Sequence, residues 1–277
     1  MNFLIVFGPV LAAAVLGGLS AGLLGVLVVG LRIPFLAVCT AHAAMAGAIL
    51  GRLCGLPVFG SGFGAACLGA AVLGWLLRRR DLEANTALGT LFSLMLGLAF
   101  LGLALTPGPK AELFGLLWGS PVFATWGQAL VMGVVTLLEV LFVWRLGKEL
   151  KLLLFSRELA AALIPEALVL GLLLVLAAAV ITVNLEVVGG LLVYSLIANP
   201  GVAALRLARS FRAALVWSAV LGVFSAAAGL LAAYLFDVPA GCCIVLASSL
   251  PVFLALARPR KAHGPAQPRE GPSVEPA

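Results

Sequence analysis

The stretch FLIVFGPVLAAAVLGGLSAGLLGVLVVGL, Phe3 to Leu31, contains no charged side chain and no regular alternation of apolar with polar positions. Roughly 20 apolar residues suffice to cross about 30 Å of hydrocarbon as α-helix, so this run can span a bilayer. Lipid offers backbone amides no water, which leaves helices and closed barrels as spanning structures. Barrel strands need an in–out alternation that is missing here. The run is too long for a signal-peptide core and has no basic residue ahead of it, so it reads as a retained span.

The same texture continues outward along the chain. Of the 277 residues, 63% are hydrophobic and 10% charged, with a mean hydropathy of +1.21. A soluble domain of this size needs more polar surface than that. Breaking the sequence at charged residues and Pro/Gly punctuation gives spans at 3–31, 35–54, 57–77, 84–105, 122–145, 166–184, 187–206, 213–235 and 239–257. The expected fold is all-α, a polytopic transmembrane helical bundle of about nine spans. It occupies residues 1–257 and is followed by a tail, 258–277.

Charge placement sets the expected orientation. Arg32, Arg78–Arg80, the group Arg145/Lys148/Lys151/Arg157, the group Arg206/Arg209/Arg212 and the tail residues Arg258, Arg260, Lys261 and Arg269 all fall on one side of the nine spans. They are 15 of the 17 Lys and Arg, leaving Arg52 and Lys110 opposite. The positive-inside rule makes the rich side cytoplasmic, with the N-terminus outside and the C-terminus inside. TPGPKAELFGLLWGSP (Thr106–Pro121) is then an external segment with Trp118 at headgroup depth. RLGKELKLLLFSRELAAALIPEAL (Arg145–Leu168) is the longest cytoplasmic connection. Its composition suggests a short helix within 147–166, stopped near Pro165. The Pro-rich tail is expected to be disordered, with His263 solvated in it.

Little in the chain suggests covalent chemistry. The five cysteines, Cys39, Cys54, Cys67, Cys242 and Cys243, lie in apolar stretches without CxxC spacing and read as buried free thiols. No paired carboxylates or Ser/His/Asp arrangement is readable. No GxxxxGK[ST] occurs, so the chain cannot cradle ATP phosphates, and any ATP that powers it is bound by another subunit.

Within the second span, the stretch CTAHAAMAGAILG (Cys39–Gly51) is the most informative. Ala43, Gly47 and Gly51 form a stripe that permits close helix approach. Cys39, His42 and Met45 recur every three residues and share an arc of about 120°. Two readings are open for them. They supply soft or borderline donors for a transition metal, or Cys39 and Met45 pack as hydrophobes while His42 bonds a carbonyl of a neighbouring helix. Further polar residues in the spans are Asn85, Thr86, Ser93, Glu139, Tyr194, Ser195 and Asn199. Asn199-Pro200 either frees carbonyls to line a cavity or makes a kink with an interhelical hydrogen bond. Glu139 is expected to pair with Arg145 or another base, structurally.

Four segments, in order, then bring a family into view. AHAAMAGAILG resembles the AHA-x-x-x-G-x-x-x-G pattern of the zinc/manganese permease family, the membrane subunits of ATP-binding-cassette metal importers. NTALGTLFSLMLGLAFLGL, VVGGLLVYSLIANPGVAALRLARS and FDVPAGCCIVLASSL resemble its fourth-span, seventh-span and final-span patterns. The resemblance implies a homodimeric permease in a bacterial inner membrane, two cytoplasmic ATP-binding subunits and an extracytoplasmic metal-binding protein. The chain itself would be no enzyme and would hold no cofactor, its transported divalent ion being cargo. Membrane lipid is a partner and nucleic acid is not.

By the same likeness a cytoplasmic helix docks on the ATPase. Here Ser156, Glu158, Leu159 and Ala160 match the family's S-x-(D/E)-LA beginning, while Ile164 and Pro165 replace its usual glycine region. The expected translocation path includes Cys39, His42, Met45, Asn85, Ser195 and Asn199, with His42 the metal-binding residue. Two carboxylates usual in the family are missing: Val38 stands where an aspartate precedes the histidine, and Asn85 where the fourth span often has an acid. Either Cys39 and Met45 replace the lost donors, or the cargo is not a bare ion, or the path need attract only weakly. The alternatives in function are a stand-alone secondary transporter or channel, and a non-transporting membrane scaffold.

Overall fold

The computed structural model describes residues 3–76, 84–107, 124–190 and 192–257. Eleven helices run through them, with no strand among the described residues. They are α1 (Phe3–Gly30), α2 (Leu36–Leu53), α3 (Val58–Leu76), α4 (Ala84–Leu105), α5 (Trp126–Arg145), α6 (Gly147–Phe155), α7 (Arg157–Leu163), α8 (Glu166–Val188), α9 (Val193–Leu207), α10 (Phe211–Phe236) and α11 (Ala240–Ala257).

Eight of these are long and apolar enough to cross a membrane. The remaining expected span, 187–206, begins later: α8 continues to Val188, and Gly189 at φ 93° ends it. The next helix, α9, has 15 residues and reaches only about 22 Å at 1.5 Å per residue. The helix expected within 147–166 is two helices, broken at Ser156, which is extended at φ −155°. Beyond Pro107 the external segment with Trp118, the Arg78–Arg80 triplet and the tail from Arg258 lie outside the described residues. All five cysteines are free, but only Cys39 is buried. Cys54 and Cys242, both at helix ends, are exposed, and Cys67 and Cys243 are partly covered.

Apolar surface alone cannot drive helices together in lipid, so close packing and interhelical hydrogen bonds must. The helix ends are fixed locally: a capping box joins Thr125 and Gln128 at the start of α5, and Ser210 caps α10. At the centre lie α1, α2 and α8, mostly buried, with α4, α5 and α10 outside them. α1 crosses α9 and α10 backbone to backbone. A Cβ at Gly201 would lie 2.6 Å from the carbonyl atoms of Gly25, and one at Gly222 would collide with the carbonyl of Gly18. Beside that crossing Ser218 Oγ donates to the Gly22 carbonyl at 2.6 Å.

The small-residue stripe of α2 packs on α3, where a Cβ at Gly47 would meet Ala65 and the Ser61 carbonyl. A polar tie joins α1 to α8: Asn184 Nδ2 donates to Ser20 Oγ at 3.1 Å and to the Val180 carbonyl at 2.8 Å. Glu139 differs from expectation. It is fully buried on α5, and neither carboxyl oxygen has a hydrogen-bond partner among the described residues, so no pair with Arg145 forms. Arg145, six residues beyond Glu139, falls about 120° round α5 from it and so off the buried stripe of Ala129, Met132, Thr136 and Glu139.

Candidate translocation site and cytoplasmic contact

α2 and α4 pack side by side and set two of the expected residues, Cys39 and His42 of α2, against α4. Cys39 Sγ donates to the Leu88 carbonyl of α4 at 2.9 Å. One turn further, His42 is 2% exposed, and its Nδ1 lies 2.8 Å from the Val38 carbonyl on its own helix. A carbonyl only accepts, so Nδ1 carries the proton in this arrangement. Nε2 is then the nitrogen with a lone pair for a ligand or acceptor role. The imidazole meets Phe92 of α4 edge to face, with centroids 4.9 Å apart, and Phe92 in turn meets Phe35 at 5.3 Å. The carbonyl that orients the ring thus belongs to the same helix, not to a neighbour, and it belongs to the residue standing in the aspartate's place.

The other expected residues are dispersed. Met45 is buried in the central core. Ser195 is half-buried in the first turn of α9. Asn199 turns toward α11, where its Nδ2 donates to Ser248 Oγ at 2.9 Å and Ser249 Oγ at 3.1 Å. α9 stays helical through Pro200, so the hydrogen-bonded alternative describes this segment. The side chain of Asn85 lies outside the described residues. No three of His, Cys, Asp or Glu gather among the described residues. Asn199→Ala is expected to lower stability by about 0.6 to 1.7 kcal/mol, the range for such bonds between membrane helices. Thermal unfolding in detergent checks this, with Ser248→Ala/Ser249→Ala as the matching deletion.

The outer face of α4 carries a pattern only partly visible in the sequence. Thr86, Thr90, Ser93 and Gly97 are exposed along one seam, the hydroxyls of Thr90 and Ser93 bonding back to the carbonyls of Thr86 and Gly89. The exposed face of α5, by contrast, is apolar, with Leu130, Val134, Leu137, Leu138 and Leu141. Thr90 and the ring partner Phe92 are absent from the residues expected at the site, although the spacing 86, 90, 93, 97 is the visible signal of a helix face.

In the segment between α5 and α8, Ser156 caps α7, its hydroxyl accepting from Leu159 N at 3.3 Å. Ala160 points inward and is fully buried, whereas Glu158, Leu159 and Leu163 are exposed, as is Phe155 at the end of α6. Of the four residues expected to touch an ATPase, two are on the surface and two hold the helix in place.

Comparison with known proteins bears on both regions. The family model described as ABC 3 transport family matches residues 4–258. Over 240 residues the chain is 26% identical to a manganese transport system membrane protein, MntC, of Halalkalibacterium halodurans, covering 86% of this chain and 82% of the relative. It is 28% identical over 221 residues to a probable iron transport system membrane protein of Haemophilus influenzae, covering 78% and 80%. Its fold is similar to that of a chain of PsaBC from Streptococcus pneumoniae, solved in complex with Fab, at a TM-score of 0.81 and 24% identity over 92% and 91% of the two chains.

Proposed function

This chain belongs to the ABC 3 transport family, and we propose that it forms the metal path of an ATP-driven importer whose cargo is a divalent first-row transition ion. The observation that carries this is the span of the family match, 4–258, which takes in the path helices and the cytoplasmic segment together. The manganese and iron systems to which relatives belong support such a cargo. Zinc, the other expectation, is the ion against which selectivity is to be measured. His42 is the ligand on the path, with Nε2 facing the ion. The polar outer seam of α4 supports a wet lining there, completed by α4 of a second copy. An extracytoplasmic protein delivers the ion, and the basic ends of the spans face the cytoplasm.

The force comes from separate ATP-binding subunits seated against α7. Leu159, Leu163 and Phe155 offer the apolar contact and Glu158 a charge, while Ser156 and Ala160 fix the helix beneath them. Two measurements test this. Metal uptake into proteoliposomes should vanish when the ATPase partner carries a defective Walker lysine; uptake that persists identifies a channel or secondary transporter instead. Leu159→Asp/Leu163→Asp should prevent co-purification of the ATPase while the permease remains folded.

A further inference from the structure

α7 has seven residues, too few to hold a direction by itself, since isolated helices below about 12 residues are marginal. It buries a single side chain completely, Ala160. Its direction is therefore set by its two ends. At the first, Ser156 supplies the cap. At the second, the chain leaves through extended Ile164 (φ −138°, ψ 161°) and Pro165, and the Glu166 amide donates to the Ile164 carbonyl at 2.7 Å. Across this corner, Arg157 Nε at the start of α7 lies 2.6 Å from Glu166 Oε1 at the start of α8. Glu166 is largely covered and Arg157 half-covered, at 17% and 44% side-chain exposure, so the pair is shielded on one side.

We propose that the Arg157–Glu166 pair is a strut that makes α7 and α8 move as one body, so that a push on α7 reaches the path helices. This rests on the assignment of α7 as the ATPase contact. The geometry beyond the strut suits transmission: α8 is mostly buried and packs on α1, α2, α3 and α5, and α2 bears His42. Without the pair the corner is a two-residue hinge, and α7 can tilt under load without moving α8. Arg157 and Glu166 are positioning residues, since neither contacts the cargo.

The test reconstitutes the permease with its ATPase and delivering protein and measures ions moved per ATP hydrolysed. Arg157→Glu should lower that ratio roughly fivefold, the scale of losing a half-exposed pair, with co-purification of the ATPase unchanged. The swap Arg157→Glu/Glu166→Arg should restore it to near the native value, as a true pairwise term requires. A merely structural role would change thermal stability in step with transport and would leave the ratio alone. If Leu159→Asp/Leu163→Asp leaves ATPase association intact, the docking assignment falls. If that variant behaves as expected but Arg157→Glu keeps the native ratio, or the swap fails to restore it, the strut falls by itself.

Discussion

A permease with His42→Ala, reconstituted with its partners, is expected to lose metal uptake by more than about tenfold, the lower bound for removing a positioned group around a metal. The fold should survive. Among the described residues the imidazole hydrogen-bonds its own helix, through Nδ1 to the Val38 carbonyl, and its ring packs on Phe92, so its loss breaks no hydrogen bond between helices there. Two further variants separate ligand from packing. An Asn amide nitrogen sits near the Nδ1 position and keeps the tether, whereas Gln reaches toward Nε2. His42→Asn should therefore be as inactive as alanine, and His42→Gln should retain part of the uptake. Equal activity of the native protein and His42→Asn removes His42 from the path. Cys39→Ala/Met45→Leu addresses the softer question. Cys39 spends its thiol on the Leu88 carbonyl and Met45 lies in the core, so a change in manganese-over-zinc preference on mutating them is the result that would make them donors. An unchanged preference leaves His42 the sole soft ligand.

The second large effect concerns assembly of the bundle. Gly201→Val and Gly222→Val should each destabilise by about 3 kcal/mol or more, the upper range for overpacking. The atoms in the way are the backbone of Gly25 and Gly18, which cannot rotate aside as a side chain can. A loss of that size is a large share of a total near 5–15 kcal/mol, so both proteins should fail to accumulate or unfold well below the native temperature in detergent. Gly171→Ala, where an added methyl meets nothing within 4 Å, is the control. A native unfolding temperature for Gly201→Val would mean that α1 and α9 do not cross at these glycines.

How far these features could be seen in the sequence varied with how local their causes are. The spans are set by composition alone, and the contact face of α2 by the Ala43/Gly47/Gly51 spacing, so both were legible. The break at Ser156 was not: the 147–166 segment has continuous helical composition, and a serine that caps one helix looks like any polar residue inside a longer one. The late start of α9 turned on the single φ of Gly189. His42 was visible as an anomaly, but its orientation depends on Phe92, fifty positions away and chosen by the packing of α2 on α4. Asn199 was legible as a choice between two roles, and Ser248 and Ser249 on another helix settled it. The six-residue spacing of Glu139 and Arg145 already argued against a pair on one helix face, whereas the lack of any other partner among the described residues depends on packing.

The shortness of α9 has a consequence for the end at which it begins. At its Arg206 end α9 is level with its neighbour, since Arg206 Nε reaches the Ala255 carbonyl near the end of α11. The shortfall therefore collects at the Val193 end, where α9, about 22 Å long, lies against the much longer α1 and α10. Against about 30 Å of hydrocarbon α9 does not span by itself, and the chain before it, with Gly189 and Gly190 buried, continues its path.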